Sequence, residues 1–182
     1  MKKSLFLSMM LCVSIVTANE NLSSYIESPD ASAIFAHDRL GPVEIFKMPK
    51  DCISSKKKVL ARGAYLFHNL NGKKAKKNPP KGLSRVEIDK ITGEKSVKNY
   101  GNCVACHNIE GAKGAGNIGT DLSEYNKNFI KTGIRSMQYV YQKISDPRMD
   151  NPDTHMTINL STGLFNEREI CDLSSYLVSV KK

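Results

Sequence analysis

The stretch Cys103-Val104-Ala105-Cys106-His107 decides how the rest of this 182-residue sequence is interpreted. Two thiols three positions apart lie on one face of a helical turn, and a histidine follows the second directly. Such thiols can each add to a vinyl group of a porphyrin, and the imidazole can then bind the iron as the proximal ligand. A C-x-x-C-H run is typical of c-type haem attachment. The sequence therefore predicts one covalent haem c on Cys103 and Cys106, with His107 as an axial ligand.

Two other chemistries use closely spaced cysteines, and each needs a feature that the sequence does not show. A structural zinc site needs a second ligand pair at matching spacing, whereas the other cysteines, Cys12, Cys52 and Cys171, are far apart. A dithiol redox motif follows a strand in a βαβ pattern, and no such pattern precedes Cys103. Haem attachment is the interpretation that fits the residues best.

The N-terminus has the three parts of a secretory signal peptide. Lys2 and Lys3 form a charged start, residues 5–16 form a short apolar run, and Val16-Thr17-Ala18 offers small residues before a cut. This run is shorter than the roughly 20 apolar residues that span a bilayer, and no later stretch reaches that length. We expect residues 1–18 to be removed and the mature chain to be soluble in the periplasm and not membrane-spanning.

Two cysteines of the mature chain are left without a haem to bind. Because Cys12 lies in the predicted leader, these are Cys52 and Cys171. An oxidising compartment favours a disulfide between them. An intermolecular bond to a partner subunit is the alternative for the same two thiols.

Positive charge is concentrated ahead of the haem motif. The formal net charge of +9 falls to +7 without the two leader lysines, and residues 69–102 carry nine Lys or Arg against three acids, a local +6. Since an exported protein rarely meets nucleic acid, this basic insertion predicts either contact with an anionic partner or substrate, or a solvated loop. Its cations are Lys73, Lys74, Lys76, Lys77, Lys81, Arg85, Lys90, Lys95 and Lys98.

The positions of the prolines and the spacing of the apolar residues divide the mature chain into two parts. Residues 19–54 carry no sustained period, which predicts an irregular N-terminal extension. Apolar residues in Val43-Glu44-Ile45-Phe46 indicate that the extension packs on the core. Residues 55–182 have helical patterning and form the haem domain, with the basic insertion 69–102 inside it. A small hairpin is predicted around Thr92-Gly93-Glu94.

The first predicted helix covers about residues 55–70, and its apolar side chains share one face. Gly63 lies in the middle of it, where glycine costs about 1 kcal/mol against alanine. A close crossing by the last helix, with Tyr176 near Gly63 and Phe67, would explain the glycine. That last helix begins with a capping-box pattern, Asn166 followed three residues later by Glu169.

A helix between these two is marked by apolar residues at helical spacing and ends at Asp146-Pro147. The residues that mark it are Ile134, Met137, Val140, Tyr141 and Ile144.

A low-spin haem that carries electrons needs a second axial ligand. Met156 follows the turn Asn151-Pro152-Asp153-Thr154, from which an extended backbone can cross the distal face. We therefore favour Met156, with His155 next. Met137 is interpreted as a core residue of its helix, and Met149 is crowded by its neighbours. The remaining candidates are His37 and His68.

Several motifs together resemble SoxX, the monohaem c-type subunit of the SoxAX complex of bacterial sulfur oxidation. The resemblance covers about residues 59–180, and its most specific part is the Asn-Pro-Asp-Thr-x-Met run. It implies an all-α, class I cytochrome c fold, covalent attachment at Cys103 and Cys106, and axial ligands His107 and Met156. The matching runs are Ala61-Arg62-Gly63, Gly101-Asn102 with the haem motif, Gly116-Asn117-Ile118-Gly119, Asn151-Pro152-Asp153-Thr154-His155-Met156, and the helix from Glu169 to Leu177.

Two threonines stand where that family usually has proline. Thr120 predicts a weakened carbonyl partner for the His107 ring, and Thr157 predicts a looser segment behind Met156.

The resemblance also implies a function. SoxAX joins thiosulfate oxidatively to a cysteine of the carrier SoxYZ, and the chemistry takes place in the SoxA subunit. This chain would then be the electron-accepting subunit of an L-cysteine S-thiosulfotransferase, without catalytic residues of its own, and would pass electrons to a small cytochrome c. The alternative is a free-standing periplasmic class I cytochrome c, which would need neither the extension nor the basic insertion.

Overall fold

The computed structural model describes residues 42–69, 78–84, 86–88, 92–98, 100–156 and 159–179. All of them belong to one unit, Leu40–Lys182. The predicted leader, His37, Thr157 and the four lysines from Lys73 to Lys77 lie outside the described residues. Within them the elements are helices α1 (Lys57–His68), α2 (Met137–Ser145) and α3 (Glu167–Val178), strands β1 (Val86–Ile88) and β2 (Lys95–Val97), 3-10 turns Cys103–Ala105 and Pro147–Met149, and a π-helical turn Asn126–Ile130.

Helices α1 and α3 cross at Gly63, as the sequence predicts. A Cβ at this position would overlap the carbonyl oxygen of Asp172 and lie 2.6 Å from the Cβ of Tyr176. One turn along, the rings of Phe67 and Tyr176 pack with centroids 6.0 Å apart. The mid-helix glycine is therefore explained by the close approach of the two backbones.

A buried ion pair lies beside this crossing. The Arg62 guanidinium donates to both carboxylate oxygens of Asp172, each at 2.5 Å. Their side chains are only 11% and 3% exposed, so solvent screens the pair little. The hydrogen bond to Asp172 raises the pKa of Arg62, which keeps the guanidinium charged.

Side-chain caps determine where α2 and α3 begin. The capping box predicted for α3 is confirmed, because the Asn166 side chain accepts from the Glu169 backbone and the Glu169 side chain accepts from the Asn166 backbone. Helix α2 begins only at Met137, since Ser136 caps it, and Ile134 lies before the helix with 62% of its surface exposed. Met137 is itself 38% exposed, so its interpretation as a core residue is wrong. The face of α2 that packs on the core starts one turn later, at Val140.

The described part of the basic insertion is fastened to the core near its two ends. Leu83 and Tyr100 are buried, and the Tyr100 ring meets Tyr65 of α1 edge-on at 5.6 Å. Between them, β1 and β2 form the predicted antiparallel hairpin, with Val86 opposite Val97. Lys98 pairs with Glu169 of α3 at 2.5 Å. At least one lysine of the insertion is thus a structural cation and not a solvated one.

Residues 44–48 run along α2 and are held by two glutamines one helical turn apart. Gln142 accepts from the Phe46 N–H at 2.7 Å and donates to the Glu44 carbonyl at 3.0 Å. Gln138 accepts from the Met48 N–H and donates to the Phe46 carbonyl, both at 2.8 Å. The two amide side chains therefore supply hydrogen bonds to the backbone of this segment.

Cys52 and Cys171, the pair that the sequence predicts to be bonded, form a disulfide that ties residue 52 to α3. Both are buried, at 4% and 9% exposure. Ser175, one turn further along α3, donates to the Cys52 carbonyl and accepts from the Ser54 N–H. Among the described residues, we find no helix whose length and apolar character would allow it to traverse a lipid bilayer.

Candidate haem site

A cleft opens between the haem motif, the three helices and the segment before α3. Its walls are mainly apolar, which suits a flat, hydrophobic macrocycle. Cys103, His107 and Met156 reach the cleft from separate parts of the chain. The other lining residues are Phe67, Thr120, Leu122, Tyr125, Phe129, Arg135, Tyr139, Val140, Lys143, Ile144, Leu173 and Leu177.

The two thiols of the motif lie on a single tight turn. Residues Cys103–Ala105 form a 3-10 turn that starts from Asn102 in a left-handed conformation, with φ of 47°. The His107 N–H then donates to the Cys103 carbonyl at 3.0 Å. Neither cysteine takes part in a disulfide, and Cys103 is half-buried whereas Cys106 is exposed. Burial raises the pKa of the Cys103 thiol to about 12.

The His107 ring is held by the loop that follows the motif. Its Nδ1 atom lies 2.7 Å from the Thr120 carbonyl oxygen. Because a carbonyl only accepts, Nδ1 must donate, and Nε2 of the neutral ring keeps its lone pair for a metal. A Cβ at Gly119 would overlap the ring, so the glycine is what lets the backbone lie against it.

The carbonyl partner of His107 is therefore present although Thr120 replaces proline. The expectation that this threonine weakens the partner is wrong, because the acceptor is a backbone atom that any residue supplies. The Gly119 N–H donates to the Cys106 carbonyl at 2.8 Å, and the Gly116 N–H donates to the Val104 carbonyl at 3.0 Å. These bonds fix the glycine loop on the motif, and they involve no side chain at position 120.

The candidates for a second axial ligand separate clearly in the structure. Of those within the described residues, Met156 alone lines the cleft, and it is half-buried. His155 is exposed, Met137 and Met149 are 38% and 40% exposed, and none of the three lines the cleft. His68 lies 2.7 Å from the Tyr176 hydroxyl, outside the cleft wall.

Polar side chains from α2 and the residues before it form one rim of the cleft. Arg135, Tyr139 and Lys143 are spaced four apart and all line it. The Arg135 guanidinium stacks over the Tyr139 ring, 4.2 Å from its centroid. Cations beside an apolar cleft suit the two carboxylates of a haem. With the Cys103 thiol, an oriented imidazole and a thioether in the cleft, and Cys106 at the end of the same turn, the residues present fit a haem.

The zinc alternative finds no support in the described part of the chain. There, no group of three or more His, Cys, Asp or Glu side chains comes together in a way that could hold a metal ion. A closed structural zinc site needs four such ligands. The cleft offers a single thiol, one imidazole and one thioether instead.

Comparison with known proteins agrees with this geometry. The Cytochrome c family matches residues 91–181, half of the chain. The chain therefore belongs to the cytochrome c family, which has the class I cytochrome c fold, binds haem c covalently and transfers electrons. A search of curated proteins finds no match.

Proposed function

We propose that this chain is the SoxX-like, electron-accepting subunit of a periplasmic SoxAX-type complex. The observation that carries the proposal is the position of Met156, since the methionine of the Asn-Pro-Asp-Thr-x-Met run lines the same cleft as Cys103 and His107. That run is also the most specific part of the resemblance to SoxX. The predicted leader at residues 1–18 supports export. Haem c and a buried disulfide support it independently, because both suit an oxidising compartment.

We assign one haem to the cleft. Cys103 and Cys106 would form its thioether bonds, and His107 and Met156 would be its axial ligands. Haem c supplies one-electron redox chemistry when bound, and a thioether ligand raises the reduction potential relative to a second imidazole. The residues of this chain then bind and orient the group, with the Thr120 carbonyl fixing the His107 ring.

In the proposed complex, the chemistry belongs to the SoxA-like subunit. Joining a carrier cysteine of SoxYZ to thiosulfate forms a sulfur–sulfur bond and releases two electrons and one proton. This chain would take those electrons one at a time and pass them to a small cytochrome c. The basic insertion would contribute to encounters with an anionic partner. At physiological ionic strength, salt screens this attraction at distances greater than about 8 Å.

Changing Met156→Ala is expected to abolish the weak near-infrared sulfur-to-iron band of the oxidised holoprotein. The reason is that Met156 is the thioether in the cleft, whereas Met137 and Met149 lie outside it. Absorption spectra of the three alanine variants provide the measurement, with Met137→Ala and Met149→Ala as controls that keep the band. A wild-type spectrum typical of two imidazole ligands would contradict the assignment and favour His155 or His68.

Thiosulfate-dependent reduction of the haem tests the function itself. We expect reduction when the oxidised holoprotein is mixed with a SoxA-type subunit, SoxYZ and thiosulfate, and much slower reduction when SoxYZ is left out. Absorbance at the haem bands provides the measurement. A haem that stays oxidised in the full mixture, yet exchanges electrons readily with a terminal oxidase, would identify the chain as a free-standing carrier.

A further inference from the structure

The residue that we assign to the iron lies on a loop that leaves α2 and returns to it. The chain departs after Ser145, and the N–H groups of Asn159 and Leu160 both donate to the Ser145 carbonyl at 3.1 Å. The Asn159 side chain also donates to the Ile144 carbonyl at 2.6 Å. These bonds close the base of the loop, and Met156 lies three residues before that base.

The start of the loop has a rigid support of its own. Arg148 donates from two nitrogens to the Asp146 carboxylate, at 2.9 Å and 2.6 Å. Both side chains are buried, at 6% and 0% exposure. This pair fixes residues 146–148, yet it does not determine where the following residues lie against α2.

A second attachment, at Asp150, connects the loop to the side of α2 that lines the cleft. The Tyr139 hydroxyl donates to Asp150 Oδ2, and Lys143 Nζ lies 3.2 Å from the same oxygen. Burial, and the hydrogen bond to Asp150, raise the pKa of Tyr139 to about 12, so the hydroxyl keeps the proton that it donates. The same bond lowers the pKa of Asp150, which is therefore ionised at neutral pH.

Tyr139 and Lys143 contact both the loop and the cleft. Each lines the cleft together with Met156, and each binds Asp150 six residues before Met156. The turn between Asp150 and Met156 is shaped by local bonds, with the Thr154 N–H donating to the Asn151 carbonyl and the Met156 N–H donating to Thr154 Oγ1, both at 3.1 Å. Local bonds set the shape of this turn, and Asp150 attaches it to α2.

We infer that Asp150 is a positioning residue for the distal ligand: through Tyr139 and Lys143 it holds the Met156 segment against the cleft and limits how readily Met156 leaves the iron. The inference rests on the assignment of Met156 as an axial ligand. It does not depend on which partner supplies the electrons. The Tyr139 bond carries most of the effect, because the side chains of Lys143 and Asp150 are 28% and 32% exposed and salt screens their attraction.

Binding of imidazole to the oxidised holoprotein tests the inference, because an external ligand must displace Met156. We expect Asp150→Ala to raise the apparent affinity for imidazole about tenfold, since it removes a charge-assisted hydrogen bond and an ion pair that hold the loop closed. Tyr139→Phe should raise the affinity several-fold. Asp150→Asn keeps an acceptor for Tyr139, so its affinity for imidazole should lie closer to that of the wild type. High salt should change the imidazole affinity of this variant less than that of the wild type.

Gln138→Ala is the matched control. It removes two hydrogen bonds from the same helix, but their partners are Met48 and Phe46 and not residues of the Met156 loop. It should lower thermal stability without changing the affinity for imidazole. A purely structural role for Asp150 would give the same pattern, with stability lowered and imidazole affinity unchanged.

The outcomes are distinct. An intact sulfur-to-iron band, with an imidazole affinity unchanged in both Asp150→Ala and Tyr139→Phe, would overturn the inference alone. A wild-type protein without that band would overturn the Met156 assignment and the inference together. If Asp150→Ala does not fold, Tyr139→Phe and Asp150→Asn decide the question. Failure of thiosulfate to reduce the haem would overturn the proposed function and leave the role of Asp150 standing.

Discussion

Replacing Cys52 and Cys171 together by alanine is expected to lower the free energy of unfolding by about 4–5 kcal/mol. The disulfide joins residues separated by 119 positions, and the chain-entropy model gives roughly this value for a closed loop of about 100 residues. Denaturant unfolding of the holoprotein, followed by far-ultraviolet circular dichroism, measures the loss. The haem spectrum should change little, since neither cysteine lines the cleft.

The double variant also supplies its own control. A reductant added under unfolding conditions should destabilise the wild type by the same amount and leave the variant unaffected. Because both cysteines are buried, the reductant should act on the native protein only slowly. Two alkylatable thiols from Cys52 and Cys171 in the unreduced, denatured wild type would contradict the disulfide, and a mixed-disulfide band would indicate a bond to a partner subunit instead.

Removing the carboxylate of Asp172 is expected to cost about 3–5 kcal/mol in the free energy of unfolding. Asp172→Ala leaves the Arg62 guanidinium buried at the crossing of α1 and α3 without its carboxylate, and an uncompensated buried charge is costly. Denaturant titration measures the change. Lys127→Ala is the matched control, because it breaks the ion pair with Glu124, whose members are 70% and 56% exposed, and should cost less than about 1 kcal/mol.

The pair itself need not be stabilising. If the cost of Asp172→Ala arises from the unpaired guanidinium, then Arg62→Met combined with Asp172→Leu should recover much of the lost stability. A loss in the single variant no greater than that of Lys127→Ala would show that Arg62 reaches water or another anion when Asp172 is removed.

The features that the sequence predicts well are local ones. The haem motif, the capping box of α3 and the hairpin at residues 86–97 each depend on residues within about a dozen positions of one another. A turn, a cap or a thiol pair needs little beyond its own backbone geometry, so spacing and residue type are sufficient evidence. Gly63 is the exception, because its cost inside a helix signals a distant neighbour.

Two expectations from the sequence are wrong, one based on residue type and the other on helical periodicity. Thr120 in place of proline predicts a weaker partner for His107, but the acceptor is a backbone carbonyl fixed by the glycine loop. Helical periodicity alone predicts that Met137 is a core residue, but it occupies the first position of α2, ahead of the turn that packs inward. Period identifies a face and does not show where along the helix that face becomes buried.

The sequence by itself indicated the class of chemistry, covalent haem binding, because the C-x-x-C-H run places two thiols and an imidazole within five consecutive residues. Only the tertiary structure decided which methionine shares a cleft with His107, which carboxylate meets Arg62, and that Asp150 joins the Met156 loop to α2. Arg62 and Asp172 are 110 positions apart. Contacts between residues so far apart in the sequence depend on how the helices cross. The pattern of apolar residues in the sequence specifies a helical face, but it does not identify the residue that packs against that face.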